Sequence, residues 1–333
     1  MKKLLIPLVL LILILGLCIL GFLWWNKNSQ KVSDDTRQVD FLVVKGRSAS
    51  QIGESLYQEN LIKDPLAFKI YVQVSGKTAK FQSGQFRISP SYSLLEVVDT
   101  LMRPPAELWV TIPEGLRREE VIERFIKALE IKEAEAEAFR EEFLSESESL
   151  EGFLFPDTYL FPRTVSAKTV VSRMRSTFDL KMKVLEKDLE ASEFTLDEIV
   201  ILASIVERET RTDEERPVVA GILMNRLDID MGLQADATVQ YAVASGSCRA
   251  GEECNWWPIL TKDDLSINSP YNTYRFRGLP PDPIANPGLS SIKAALIPEE
   301  TDYLYYLHDS DGSIHYAETL AEHNENVRRY IGK

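Results

Sequence analysis

From Leu4 to Trp25 the chain carries no charged side chain and is mainly aliphatic. No other stretch so narrows what it can fold into. As a helix rising about 1.5 Å per residue, the run spans roughly 30 Å of hydrocarbon. Lys2 and Lys3 precede it, Trp24 and Trp25 close it, and Lys27 and Lys31 follow. The pattern predicts a single-pass transmembrane signal anchor over 4–25. The leading lysines place residues 1–3 in the cytoplasm. A cleaved signal peptide has a shorter apolar core ending in small residues, whereas this run ends in Leu23-Trp24-Trp25. Leu17 before Cys18 is not small, which argues against a lipoprotein site. The bulk of the chain is expected outside the cytoplasmic (inner) membrane.

The 333 residues are 44% hydrophobic and 27% charged, which excludes a fully disordered chain, and the length suggests about two domains. A formal net charge of −13 repels phosphate backbones, and no basic patch offsets it, so nucleic acid is excluded as a partner. The three cysteines (Cys18, Cys248, Cys254) and three histidines (His308, His315, His323) do not make a tetrahedral metal site. There is no phosphate-binding glycine loop, dinucleotide fingerprint or Gly-x-Ser-x-Gly elbow.

The rest reads as an α+β chain. Residues 26–39 are polar and aperiodic, a linker. Residues 40–104 form a small α/β unit, with strands at Phe41–Val44 and Gly84–Ile88. Its helices lie at Ser48–Asn60, Asp64–Val74 and Ser93–Leu101. A larger mixed α+β domain occupies 105–333. It opens with a strand at Trp109–Ile112 and continues with an acidic helix from Arg117 to Ser149. Glu151-Gly152-Phe153-Leu154-Phe155-Pro156-Asp157-Thr158-Tyr159 breaks the helical pattern. A long helix then runs from Val165 to about Leu189. Thr195-Leu196-Asp197-Glu198 is a capping-box signature for the next helix, whose residues Ile199 to Val206 are apolar all round, as in a buried helix.

That helix ends in Glu207-Arg208-Glu209-Thr210. A carboxyl delivered there is desolvated and meets the negative end of the helix dipole, and both effects raise its pKa. A glutamate kept partly protonated suits general acid catalysis of glycosidic cleavage. The plainer reading is a pair of exposed helix-end charges with Arg208 between them. Two residues apart, Glu207 and Glu209 point about 200° apart, so they are not a dyad. Asp157, Asp236 and Glu151 are other candidate acids. Gln234 to Tyr241 and Tyr271 to Tyr274 gather amides, hydroxyls and rings of the kind that line a sugar groove, or that simply shape turns. Cys248 and Cys254 are placed to pair in an oxidising space and staple the 245–258 insert.

In order along the chain, several motifs resemble the YceG-like endolytic murein transglycosylase family. They are the 4–25 anchor, the 40–104 unit, Glu151–Tyr159, Ala203-Ser204-Ile205-Val206-Glu207-Arg208-Glu209-Thr210 and Asn225-Arg226-Leu227. Further on come Leu233-Gln234-Ala235-Asp236-Ala237-Thr238, Ser269–Tyr274, Gly278-Leu279-Pro280-Pro281 and Ile284–Gly288. The insert around Cys248–Trp257 departs from it. The resemblance implies a LysM-like subdomain over 40–104 and a catalytic domain over 105–333. It also implies cleavage between N-acetylmuramic acid and N-acetylglucosamine within peptidoglycan glycan strands. The expected product is a 1,6-anhydromuramoyl end, made by a lyase that terminates nascent strands without a cofactor. The sugar's own 6-hydroxyl replaces water, so one glutamate serves as acid and then base.

In the wider lytic transglycosylase group a catalytic glutamate typically precedes a serine. The resemblance assigns that role to Glu209, with Thr210 in the serine's place and Glu207 as second candidate. Gln234, Asp236, Tyr271, Asn272 and Thr273 are the implied substrate contacts. Peptidoglycan synthases are implied partners beside the glycan and the membrane. Two alternatives stand: a membrane-anchored peptidoglycan-binding scaffold without activity, and a muramidase-type hydrolase in which Asp157 or Asp236 directs water.

Overall fold

The computed structural model describes residues 2–44, 46–77, 81, 83–103 and 107–332, with the side chains of 2–10 and 12 left outside. The first helix, α1, spans Lys2–Asn28. Among the described residues no helix is long and apolar enough to cross a membrane. Of the 4–25 span expected from sequence, the side chains of 4–10 and 12 lie outside the described residues.

The chain divides into two compact units, Met1–Trp109 with Leu160–Arg163, and Val110–Tyr159 with Thr164–Lys333. In the first, β1 (Val39–Val43) pairs antiparallel with β2 (Gly84–Ile88), Phe41 opposite Phe86. The sheet order continues to β3 (Glu107–Thr111) and β4 (Thr158–Pro162), whose residues are shared between the units. Helices α2 (Ala49–Gln58), α3 (Pro65–Val74) and α4 (Leu94–Met102) bury Ile52, Leu56, Phe68, Val72, Val97 and Leu101 with Phe41 and Phe86. Each helix starts on a side-chain cap, from Ser48, Asp64 and Ser93. The polar stretch read as a linker is pinned. The amides of Val32 and Ser33 donate to the Pro90 carbonyl, and the Leu94 amide donates to that of Ser29.

The second unit begins with α5 (Arg118–Ala128) and α6 (Glu133–Glu146), where the sequence suggested one helix. The break falls at Glu130, which takes a left-handed φ of 54°, while the Ile131 amide returns to the Ile126 carbonyl in a Schellman closure. The next predicted helix is α7 (Ala167–Met182), a 3-10 turn over Lys183–Leu185, and α8 (Glu186–Ala191). The tighter turn puts Met182 and Leu185 on one face, and both are buried.

Then come α9 (Leu196–Glu209), α10 (Glu215–Asp228), α11 (Asp236–Ser247) and α12 (Leu289–Leu296). A hairpin of β5 (Tyr305–His308) and β6 (Ile314–Ala317), and α13 (Leu320–Asn326), complete the unit. Every residue of α9 from Ile199 to Val206 is buried, so the helix is the core of this unit. Its one interior hydroxyl, Ser204, donates to the Ile201 carbonyl and accepts from the Ile284 amide.

The Glu151–Tyr159 motif is a latch within this unit. Asn286 donates to the Glu151 carboxyl at 2.9 Å and to the Leu116 carbonyl, and accepts from the Leu154 amide. Gly152 has φ of 85°, and a Cβ there would meet Pro283 at 2.6 Å and Val200 at 2.8 Å, so only glycine fits. Cys248 and Cys254 form a disulfide that closes the inserted loop.

Candidate active site

The Thr195 hydroxyl accepts the Glu198 amide, and the Glu198 carboxylate accepts the Thr195 amide. This closed cap fixes the start of α9, and burial fixes its axis. Its last turn therefore holds Glu207 and Glu209 in set directions, and the two part company as helix periodicity requires.

Glu207 turns into protein. Its side chain is 7% exposed; it accepts from Arg216 at 3.1 Å, from the Gly288 amide at 3.0 Å and from the Ser291 hydroxyl at 2.7 Å. All these donors lie on α10 and at the start of α12, so this carboxylate ties three helices together.

Glu209 turns to a polar cavity of about 360 Å³, lined also by Arg226, Gln234, Asp236, Tyr274, Tyr306 and His323. The Tyr306 hydroxyl donates to Glu209 Oε2 at 3.0 Å. Burial pushes the Glu209 carboxyl above the usual range. The Tyr306 hydrogen bond opposes this, the Asp236 charge adds to it, and the Ala237 amide and His308 oppose it. Asp236 opens α11 and accepts from the Tyr274 hydroxyl at 2.7 Å. Arg226, 6% exposed, spends its guanidinium on the carbonyls of Leu304 and Leu233 and lies 5.5 Å from the Tyr305 ring. It braces the cavity floor. The arrangement offers one carboxyl that keeps its proton to higher pH than an exposed glutamate does, with one oxygen already occupied by a donor. Among the described residues no group of three or more His, Cys, Asp or Glu is disposed to hold a metal ion.

The residues singled out from sequence part into two sets. Gln234 and Asp236 line the Glu209 cavity, Gln234 with a left-handed φ of 49° and its amide on the Thr273 carbonyl. Thr273 and Asn272 are buried. Thr273 accepts from the Ala235 amide and bonds the Thr238 hydroxyl, and Asn272 donates to the carbonyls of Leu265 and Ile267. Both shape the loop that carries Tyr274. Tyr271 faces a different cavity, with its ring 4.8 Å from Tyr241 and its hydroxyl on Asp282. Asp157 lies 3.4 Å from Lys181 and does not line the Glu209 cavity. Tyr306 and His308 were not singled out for the site. They sit on a strand about a hundred residues after Glu209, and no local spacing links them to it.

The YceG-like family model matches residues 41–329. An endolytic murein transglycosylase of Bacillus subtilis (strain 168) is 30% identical over 93% of this chain and 90% of its own length. One of Streptococcus pneumoniae (strain ATCC BAA-255 / R6) is 26% identical over 87% of this chain, which spans 58% of that longer protein. The crystal structure of a yceG-like protein from Listeria monocytogenes superposes with a TM-score of 0.56 at 30% identity, covering 87% of this chain and 99% of that one. A family match over most of the chain, together with these relatives, shows that the chain belongs to the YceG-like family.

Proposed function

We propose that this protein is an endolytic murein transglycosylase, a lyase that cuts peptidoglycan glycan strands internally. The observation that carries the reading is the Glu209 carboxyl. It stands at the end of a buried helix, faces a polar cavity, and is held above the usual carboxylate range by burial. The relatives named for this activity support it.

In the mechanism, protonated Glu209 gives its proton to the glycosidic oxygen as the bond to the muramoyl anomeric carbon breaks. The resulting carboxylate takes the proton of the sugar's 6-hydroxyl as that oxygen bonds the same carbon. Glu209 ends as it began, and a 1,6-anhydro end replaces a reducing end. The intramolecular hydroxyl arrives at high effective concentration, so no second carboxylate is needed to activate water. Asp236 and Gln234 contact the glycan from the cavity wall. Glu207, spent on three donors, holds the helix end in place.

Three further features belong to this reading. Residues 4–25 anchor the chain in the cytoplasmic membrane. The described part of that run leaves large hydrophobic side chains bare, Leu17 at 69% and Phe22 at 67% exposed. The catalytic unit then works outside the membrane, on nascent strands and near peptidoglycan synthases. The 40–104 unit binds glycan as a LysM-like module. Recovery of the intact chain in the soluble rather than the membrane fraction would refute the anchor.

The activity is tested with purified peptidoglycan and mass spectrometry of the products. The wild type yields anhydro-ended fragments, and Glu209→Gln, correctly folded, yields none. Reducing ends, heavier by one water, would establish a hydrolase instead. Binding without new ends would establish a scaffold.

A further inference from the structure

We infer that Tyr306 is a positioning residue for the Glu209 proton: it holds Oε2 as the accepting oxygen and leaves Oε1 as the atom that gives and retrieves the proton. The inference rests on the reading of Glu209 as the acid.

The geometry comes first. The Tyr306 hydroxyl lies 3.0 Å from Oε2, on a strand whose partner in the hairpin is fixed by four residue pairs. The neighbouring Tyr305 ring sits against Arg226, whose guanidinium is tied to two backbone carbonyls. The donor therefore stands on a braced element and not on a loose loop. Burial, and then the Glu209 charge, keep the Tyr306 hydroxyl protonated, so it has a proton to give, and in this contact it donates that proton's hydrogen bond to Oε2. An oxygen that accepts from a phenol does not also present its own proton to that phenol. The acid proton is thereby directed to Oε1.

The same contact bears on when the proton leaves. Burial and the Asp236 charge hold it on. Asp236 is itself engaged by Tyr274, and Arg226 and His323 line the same cavity. Tyr306, the Ala237 amide and His308 stabilise the carboxylate left behind. An acid that must become a base within one turnover works best when these two groups of effects nearly balance. Tyr306 is the hydrogen-bonding side chain on the releasing side, directly on the carboxyl.

The test measures kcat and kcat/KM against pH for the full chain on purified peptidoglycan. Tyr306→Phe keeps the ring and removes the donor. Its kcat falls roughly tenfold, the scale of one hydrogen bond to a charged group. The limb on which activity falls with rising pH moves to higher pH, because the carboxyl keeps its proton longer. Asp236→Asn moves that limb the opposite way. Placing 3-fluorotyrosine at 306, a stronger donor of nearly the same shape, moves it to lower pH and serves where the phenylalanine variant fails to fold. A uniform fall in rate with the limb unmoved makes Tyr306 merely structural and overturns the inference, as does an unchanged limb with fluorotyrosine. Glu209→Gln run beside them separates the two levels. If it retains activity, the assignment of the acid fails; if it is inactive and the limb is unmoved in the other variants, only the role of Tyr306 fails.

Discussion

Glu207 and Glu209 are the same residue type two positions apart, and their surroundings give them different work. Glu207 accepts three hydrogen bonds at 7% exposure, one of them from Arg216, which is itself 11% exposed. Replacing it by alanine removes the charge-assisted bonds and leaves the Ser291 hydroxyl, the Gly288 amide and part of the Arg216 guanidinium unpaired. Breaking a buried pair on one side costs about 3–5 kcal/mol. Glu207→Ala is expected to lower the urea midpoint accordingly, and to lose activity only in step with the folded fraction. An inactive Glu207→Ala that unfolds at the wild-type midpoint would move this residue into the catalytic machinery.

At the scale of elements, the inserted loop is the part with no counterpart in the family motifs. The Cys248–Cys254 bridge brings Trp256 to 4.6 Å from the Arg117 guanidinium, and Trp257 to 3.7 Å from that of Arg208. The Trp257 indole also donates to Glu120. The loop thus braces the start of α5 and the residue between the two glutamates. A bridge over so short a loop stabilises by about 2 kcal/mol on the chain-entropy account. The double change Cys248→Ser with Cys254→Ser is expected to lower the unfolding free energy by about that amount, and reductant to do the same to the wild type. Equal midpoints with and without reductant would show that the packing of the two tryptophans, not the bridge, holds the loop.

For the molecule as a whole, two buried acids set a pH dependence of stability. Burial, and then the charge of Glu119, push the Glu151 carboxyl up to about 8, and burial raises that of Glu209. The folded state therefore holds protons that the unfolded chain releases in the ordinary carboxylate range. The stabilisation is fully present below that range and is lost as pH rises through the folded values, so the window runs from the ordinary range up to about 8 for Glu151. Glu151→Gln keeps an acceptor for Asn286 and the Arg118 amide, and removes the titration. Unfolding free energies at pH 5 and pH 8 are expected to differ less in this variant than in the wild type. An identical difference would place the proton elsewhere.

The α+β character, the strands and helices of the first unit, and the capped, wholly apolar α9 were legible in the chain. So was the divergence of Glu207 from Glu209. Each follows from local causes: side-chain capping, hydrophobic period, and the angle between successive helical residues. The breaks at Glu130 and at Lys183–Leu185 were not legible, because a non-glycine left-handed closure and a tightened turn are accepted in exchange for burying their neighbours. Nor was the side of α9 that faces the cavity. That depends on α10 and α12 closing over Glu207, while α11, the 271–274 loop and the β5 strand surround Glu209. Periodicity says that two side chains point apart; only packing between segments distant in sequence decides which one meets the cavity and which tyrosine meets it there.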